Sequence, residues 1–376
     1  MLAMTIATLA LFSLPAFADS IKDDFGVSAA EVGLLTAVFA GVYAVVQVPA
    51  GVLGDVIGHN VALCSALVLL GVSLLASTQA SSFPLLVGLR ALSGLAAGVL
   101  LPVTSSLIRA AAPRHNTMAQ AMLGAGWGLG YLLSVLVLPV LVSSWRQALV
   151  ALAVTALIAA LVAALFPSNR HPAAAEAFGN ARAGLCSTGT WLLGGLMFGL
   201  TFANVGVGAW AIPYCTDDLG LSTHAAGLMT ALIAVGVFPA AIAGAAVAQR
   251  WSVAAVTVSS AIGMAAAVTT LVLSPPLVLV GVAFLVLGWC AAFPFGVTLG
   301  LVGTLVGGPG GRAQGAIAGA VNGIAFLAGM ISPLIVGLIY DGSDSFAVAF
   351  APLVLGPVLA LATALAISAR LHGRPA

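Results

Sequence analysis

Long runs of apolar residues, separated by short polar segments, dominate the pattern along the chain. A helix needs about 20 apolar residues to cross the hydrocarbon core of a bilayer, and each run is close to that length or longer. The first half is predicted to hold six such helices, over residues 1–18, 29–53, 61–79, 83–109, 117–142 and 147–166. The second half is predicted to hold six more, over residues 188–213, 223–248, 253–273, 277–304, 314–338 and 347–370.

The two halves of the chain repeat each other. Residues 23–37, DDFGVSAAEVGLLTA, and residues 217–231, DDLGLSTHAAGLMTA, share the Asp-Asp pair and the following Gly and Ser at a fixed offset. Parallel repeats of six helices are a known plan of transporters, in which the substrate site lies at the repeat interface. We therefore expect an N-terminal six-helix bundle over residues 1–167, a linker over 168–187 and a C-terminal six-helix bundle over 188–376.

Composition identifies the solvent around these helices. Hydrophobic residues make up 62% of the 376 residues and charged residues 6%, whereas about a quarter of a soluble domain is charged. The chain is therefore an all-α, multi-pass membrane protein whose partner is the lipid bilayer. The net charge of +1 says nothing about nucleic acid, and no basic run suggests it, so we expect no nucleic acid partner. The four cysteines form no CxxC pair, and no nucleophile–base pair is evident, so we expect no metal, no cofactor and no enzyme activity. We also expect the protein to be a monomer.

The distribution of basic residues orients the helices. With the N-terminus inside, the predicted outer loops carry only Lys22 and Arg146. Loops that face the cytoplasm carry an excess of Lys and Arg, so both termini and the linker are expected to be cytoplasmic and the protein to lie in the plasma (inner) membrane. The sequence Ala16-Phe17-Ala18 is similar to a signal-peptidase site, but no basic residue precedes it, so we expect the first helix to be retained. The inner loops carry Arg109, Arg114, Arg170, Arg182, Arg250, Arg312, Arg370 and Arg374.

The segment GVLGDVIGHN, residues 51–60, lies in the predicted cytoplasmic loop between the second and third helices. Its Gly51, Leu53, Asp55 and Gly58 match in register the signature of the major facilitator superfamily, Gly-x-Leu-x-Asp-x-x-Gly followed by basic residues. The fourth predicted helix contains a second motif of that family, Arg-x-x-x-Gly-x-x-x-Gly, in RALSGLAAG. The resemblance covers the whole chain and implies two pseudo-symmetric six-helix bundles that move a solute by alternating access.

The same resemblance implies gating residues. In the family this loop latches the two halves together on the cytoplasmic side, and Asp55 near a helix N-terminus is suited to such a latch. His59-Asn60 replaces the usual basic pair, so a weaker latch is expected, and a plain tight turn is the alternative. The residues expected to act in gating are Gly51, Asp55, Gly58, Gly94 and Gly98.

Arg90 is the one clearly intramembrane charge in the predicted helices. Ionisable residues inside a bilayer are costly and mark function by default. We expect Arg90 to bind the substrate, because no Asp or Glu lies in the middle of any predicted helix and an anion would supply the missing negative charge. The alternatives are snorkelling of the side chain to the outer surface or a structural pair with Asp19 or Glu31.

Other polar and aromatic residues within the predicted helices form a candidate cavity lining, although each by itself is more often a packing residue. They are Tyr43, Gln47, Trp127, Tyr131, Asn204, Trp289 and Asn322. Trp210 is a further residue of this kind, with a role as an interfacial anchor as its alternative.

Secondary-active or facilitative transport of a small anion is the leading functional hypothesis. The fourth, fifth and seventh helices resemble those of the cyanate and nitrate/nitrite-type anion porters. Proton-coupled efflux of small organic compounds, with Asp19 or Glu31 handling protons, is an alternative, although the fifth helix lacks the Gly-Pro pair typical of drug/proton antiporters. A non-transporting membrane receptor or assembly protein is a third alternative.

The orientation yields a first prediction. Reporter tags at the N-terminus, within residues 170–184 and at the C-terminus should all report a cytoplasmic location, because an even number of spans separates the three points. Accessibility to a membrane-impermeant label in whole cells measures this. Labelling of the 170–184 tag from outside would overturn the arrangement of six plus six helices.

Overall fold

The structure is a computed structural model that describes residues 1–165, 174–306 and 314–372. Within these ranges the chain forms helices and turns and contains no strand. Eleven of the described helical segments are long and apolar enough to cross a membrane, and the apolar helix Leu2–Phe12 is shorter than the rest. The prediction of an all-α membrane protein is confirmed.

The described residues form two compact units, each with its own set of packed helices. Unit 1 contains the described residues of Met1–Asn116, Gly126–Cys186 and Gly307–Gly323. Its helix α5 packs against α3 and α4, and α4 also packs against α8. The helices of the first half of the chain are α1 (Leu2–Phe12), α2 (Ala18–Phe25), α3 (Ala29–Ile57), α4 (His59–Thr78), α5 (Phe83–Ala111), α6 (Asn116–Leu132), α7 (Leu138–Leu141), α8 (Trp145–Ala164) and α9 (Ala174–Leu185).

Unit 2 contains the described residues of Thr117–Ala125, Ser187–Val306 and Ile324–Ala376. Within it α13 packs against α11 and α12, and α10 packs against α17. Residues 117–125 of α6 and residues 314–323 of α15 thus belong to a different unit from the rest of their helices. The helices of the second half are α10 (Thr188–Pro213), α11 (Thr223–Arg250), α12 (Val253–Val272), α13 (Leu277–Ala292), α14 (Phe295–Leu305), α15 (Gln314–Ser343), α16 (Phe346–Phe350) and α17 (Leu355–His372).

Prolines interrupt several apolar runs that were predicted as continuous helices. Proline lacks the backbone N–H and its ring clashes with the preceding turn, so the chain bends or tightens there. The first helix was predicted over residues 1–18, but it ends at Phe12. A separate 3₁₀ turn begins at Pro15. A break at Pro294 separates α13 from α14, and a 3₁₀ turn containing Pro352 separates α16 from α17.

The segment 51–60 is helical over most of its length, so the prediction of a loop there was wrong. Helix α3 continues to Ile57, and α4 begins two residues later at His59. The only residue between them is Gly58, whose φ of 103° lies in the region that favours glycine. The connection between the two helices is therefore a single-residue break.

The predicted linker between the two halves contains the helix α9. Residues 166–173 lie outside the described part of the chain, and α9 occupies 174–185. Helix α9 ends at Leu185, and α10 begins at Thr188 with Ser187 as its N-cap.

A close approach of α5 to α3 holds the centre of unit 1 together. A Cβ built on Gly94 would lie 3.0 Å from the backbone Cα of Phe39, and one built on Gly98 would lie 2.8 Å from the carbonyl oxygen of Tyr43. Backbone atoms cannot move aside as a flexible side chain can, so both positions require glycine. Without water to drive association, helices in a bilayer depend on such small residues for close packing.

The two glycine environments along α5 give a matched test. Gly94→Ala should lower the melting temperature of the purified protein, because overpacking against fixed atoms costs about 1–3 kcal/mol. Gly88→Ala, on the same helix, should leave the melting temperature unchanged or raise it slightly, because nothing lies within 4 Å of its added Cβ. Thermal melts in detergent compare the two, and equal melting temperatures would contradict the close-packing argument.

Candidate functional site

The guanidinium of Arg90 is buried in the centre of unit 1. The residue has no exposed surface, and its Cζ lies 4.6 Å from the centroid of the Phe39 ring. Its Nη2 donates a hydrogen bond of 3.2 Å to the backbone oxygen of Leu11. Helices α1 and α3 therefore contribute an oxygen and a ring face to a charge carried by α5.

Two nitrogens of this guanidinium lack partners. Nε and Nη1 of Arg90 are buried, and no hydrogen-bond acceptor contacts them among the described residues. Arginine stays protonated in proteins, and all of its nitrogens are hydrogen-bond donors. Each of these two nitrogens is therefore a buried donor without an acceptor. The site therefore has a surplus of positive charge and of donors.

The structure contradicts two of the alternatives for Arg90. A side chain without exposed surface does not snorkel. Glu31 is exposed and its carboxylate accepts from the backbone N and the hydroxyl of Ser28, both at 2.8 Å, which closes a capping box at the start of α3. Glu31 therefore stabilises its own helix and is not the partner of Arg90. The side chain of Asp19, the other suggested partner, lies outside the described part of the structure.

Five aromatic rings surround this part of unit 1. Phe39 and Tyr43 stack along α3 with centroids 6.4 Å apart, and Tyr43 contacts Trp127 at 6.3 Å. Phe12 of α1 lies 6.3 Å from Trp127 and 4.7 Å from Tyr131. The predicted residues Tyr43, Trp127 and Tyr131 thus share one cluster with Arg90. Phe12 and Phe39 were missed, although Phe39, Tyr43 and Gln47 follow a helical spacing of four.

A hydrogen bond joins two of the predicted residues that are far apart in the sequence. The Nδ2 of Asn322 donates to Oε1 of Gln47 at 3.0 Å, across 275 positions of sequence. Asn322 also interacts with the side chain of Tyr43. The Nε2 of Gln47 is buried without a partner among the described residues. Asn322 lies in the part of α15 that belongs to unit 1.

Asn204 and Trp289 belong to unit 2 and are not among the contacts of Arg90. The Nδ2 of Asn204, in α10, is buried without a hydrogen-bond partner in the described chain. Trp289, in α13, is 36% exposed and its ring lies 5.7 Å from that of Phe293. Trp210 donates from Nε1 to the oxygen of Pro333 at 3.0 Å, so it anchors α10 to α15 within unit 2.

A cavity of about 490 Å³ lies elsewhere in unit 1, between the ends of α1, α4, α5 and α8. Its lining residues include Leu2, Asn60, Leu67 and Leu107, and none of them is charged. The cavity therefore does not offer the surplus of positive charge found at Arg90.

The predicted gating residues lie at two places in unit 1. Gly94 and Gly98 form the contact of α5 with α3. Gly51 faces the backbone of α15, where an added Cβ would lie 2.5 Å from the Cα of Ala316. Asp55 lies in the last turn of α3 and not at a helix N-terminus as expected, and its Oδ1 is 2.9 Å from Nε2 of His59. The histidine that replaces the usual basic residue is thus the contact of this aspartate.

These features define a multi-pass membrane protein with a buried basic site, and comparison with known proteins names its family. The family model described as Major Facilitator Superfamily matches residues 1–210, which is more than half of the 376 residues. The chain therefore belongs to the Major Facilitator Superfamily of membrane transporters, and it is a transporter rather than an enzyme.

Two curated relatives match a shorter part of the chain. The quinolone resistance proteins NorA of Staphylococcus aureus strains MRSA252 and Mu50 / ATCC 700699 are each 29% identical over 112 residues. The match covers 28% of this chain and spans 29% of the length of NorA.

A solved structure shares the fold along nearly the whole chain. The human organic anion transporter MFSD10 (TETRAN) superposes with a TM-score of 0.74, covering 96% of this chain and 97% of that one. At 17% sequence identity this similarity shows the fold alone. Nothing in these matches bears on the cyanate and nitrate/nitrite branch, which stays a prediction.

The Asp55–His59 contact gives a test of the latch hypothesis. Asp55→Asn should slow solute uptake into proteoliposomes only partly, because one hydrogen bond contributes about 0.5–1.5 kcal/mol net and the histidine can still donate to the amide oxygen. The folded protein and its membrane insertion should be unaffected. Asp23→Asn, which neutralises an exposed carboxylate outside this contact, serves as the control. An unchanged uptake rate in Asp55→Asn would contradict the latch hypothesis and leave the segment as a simple break between two helices.

Proposed function

We propose that this transporter moves a small anion across the membrane by alternating access and that Arg90 binds the anion. The observation that carries the proposal is the fully buried guanidinium, which has two unpartnered nitrogens and no carboxylate among its contacts in the described chain. Removing an ionised group from water is costly unless it is paired and hydrogen bonded. An anion that accepts from Nε and Nη1 would supply both the charge and the acceptors.

The contacts already present offset only part of that cost. A cation over an aromatic ring gains about 0.5–2 kcal/mol, and the carbonyl of Leu11 satisfies one nitrogen. A guanidinium presents its donors in a rigid fork that suits planar, carboxylate-like anions. The part of the burial cost that is not offset favours any conformation in which an anion is bound at Arg90. A difference between two conformations in their affinity for the anion is what shifts a transporter between its states.

Export of small organic compounds is a second candidate for the same fold. Its support is the partial match to NorA, whose name describes quinolone resistance. The coupling role suggested for Glu31 has little support, because that carboxylate is exposed and caps α3. Glu31 therefore offers no buried proton relay, and the role of Asp19 is untested. The third alternative, a non-transporting receptor or assembly protein, is set aside because the family is one of transporters.

Substitution of Arg90 tests the proposal. Nitrate, cyanate, acetate and benzoate, with glucose as a neutral control, should be screened for a rise in melting temperature and for uptake into proteoliposomes. Arg90→Lys keeps the charge but loses the fork, so the affinity for the stabilising anion should fall at least tenfold, which corresponds to about 1.4 kcal/mol. Arg90→Ala should abolish saturable binding. Arg250→Lys, the same change at an exposed residue, should leave both measurements unchanged.

Two outcomes would overturn the proposal. One is a stable Arg90→Ala protein that transports the anion with unaltered affinity. The other is a response to glucose and to the anions alike, which would show that charge does not select the substrate. Outward transport of an organic cation without any effect of the anions would favour the second candidate.

A further inference from the structure

One face of α3 connects Arg90 to the Gln47–Asn322 pair. Phe39, Tyr43 and Gln47 are spaced four residues apart, so they form one stripe along the helix, and the eight residues from Phe39 to Gln47 rise about 12 Å. The Arg90 guanidinium lies over Phe39 at one end of the stripe. The amide of Gln47 lies at the other end, where Asn322 meets it.

The unmet hydrogen-bonding groups at the two ends are of one kind. At Arg90 they are Nε and Nη1, and at Gln47 the group is Nε2, and all three are donors. The acceptor of the Gln47 amide is already occupied by Asn322. Gln47 has no exposed surface, so its free N–H groups are not satisfied by bulk water. Among the described residues, the stripe thus lacks an acceptor at each end.

Aromatic rings lie between these two ends. Phe39 and Tyr43, which belong to the stripe, are buried, while Phe12, Trp127 and Tyr131 keep part of their surface exposed. Ring faces and edges pack best against another flat ring. A small inorganic anion would occupy the Arg90 end and leave the aromatic surface and the Gln47 donor unused.

We propose that the anion bound by Arg90 is an elongated aromatic organic anion with a second, neutral hydrogen-bond acceptor at its far end, which the side-chain amide of Gln47 binds. The proposal rests on the proposed function, since it takes Arg90 as the anion site, and it adds the substrate class and a residue that determines specificity. The anionic group lies at Arg90, the aromatic body lies against Trp127 and Tyr131, and the far acceptor lies at Nε2 of Gln47.

A pair of ligands that differ only at the far end tests the proposal. Biphenyl-4-carboxylate carries the anion and the rings, and 4′-acetylbiphenyl-4-carboxylate adds a carbonyl acceptor at the other end. The purified full chain should bind the acetyl compound about tenfold more tightly, the gain expected from one hydrogen bond to a buried donor. Titration calorimetry in detergent measures both affinities, and nitrate serves as the small inorganic anion.

Gln47→Met locates the effect. It removes the donor at similar side-chain length, so the two biphenyl compounds should bind this variant with equal affinity, whatever the lost Gln47–Asn322 hydrogen bond costs both of them. A merely structural role of Gln47 would instead weaken both compounds to the same degree. Gln79→Met, the same change at the exposed glutamine that follows the last residue of α4, should preserve the tenfold difference.

The outcomes separate this proposal from the proposed function. Equal affinities of the two biphenyl compounds for the unmodified protein, with both lost in Arg90→Lys, would overturn the Gln47 assignment and leave Arg90 as the anion site. Nitrate binding more tightly than either compound would overturn the aromatic substrate class. Affinities for all three anions that are unchanged in Arg90→Lys would overturn the proposed function itself.

Discussion

Hydrocarbon offers no hydrogen-bonding partner to the peptide backbone, and this constraint shapes every part of the chain. Each segment that crosses a bilayer must satisfy its own N–H and C=O groups, which a helix does internally. Lipid tails are as apolar as the side chains that face them, so helices associate through close packing at small residues and through polar contacts. Gly94 and Gly98, against the backbone of α3, and Gly51, against the backbone of α15, are examples of such packing in unit 1.

The same constraint gives the polar groups of unit 1 their importance. Water would satisfy the guanidinium of Arg90 and the amide of Gln47 at little cost, but both residues lack exposed surface. One carbonyl and one ring face do not complete the coordination of a guanidinium. Under the proposed function the substrate completes this coordination. Binding then offsets the cost of burying the guanidinium, and a difference in this gain between two states of the transporter shifts the equilibrium between them.

Several local features were open to prediction, and three were misread. The spacing Ser28-x-x-Glu31 is the signature of a capping box, and it already assigned the carboxylate of Glu31 to its own helix. The glycines of residues 51–58 predicted a loop, whereas α3 continues to Ile57: isolated glycines are tolerated in a helix, and Gly51 packs against the backbone of α15. The prediction of a continuous helix over residues 1–18 likewise overlooked Pro15: the helix ends at Phe12 and a 3₁₀ turn begins at the proline, which cannot donate a backbone hydrogen bond.

The sequence by itself determined the solvent, the helical class, the approximate spans and the family motifs, because these depend on run length, composition and residues close together in the chain. Tertiary structure alone decided that Arg90 meets Leu11 and Phe39, and that Gln47 meets Asn322 from 275 positions away. In a soluble helix an apolar stripe shows which face is buried. In a bilayer the lipid-facing and helix-facing sides are equally apolar, so periodicity does not reveal which faces meet, and only the packing of the helices brings these residues together.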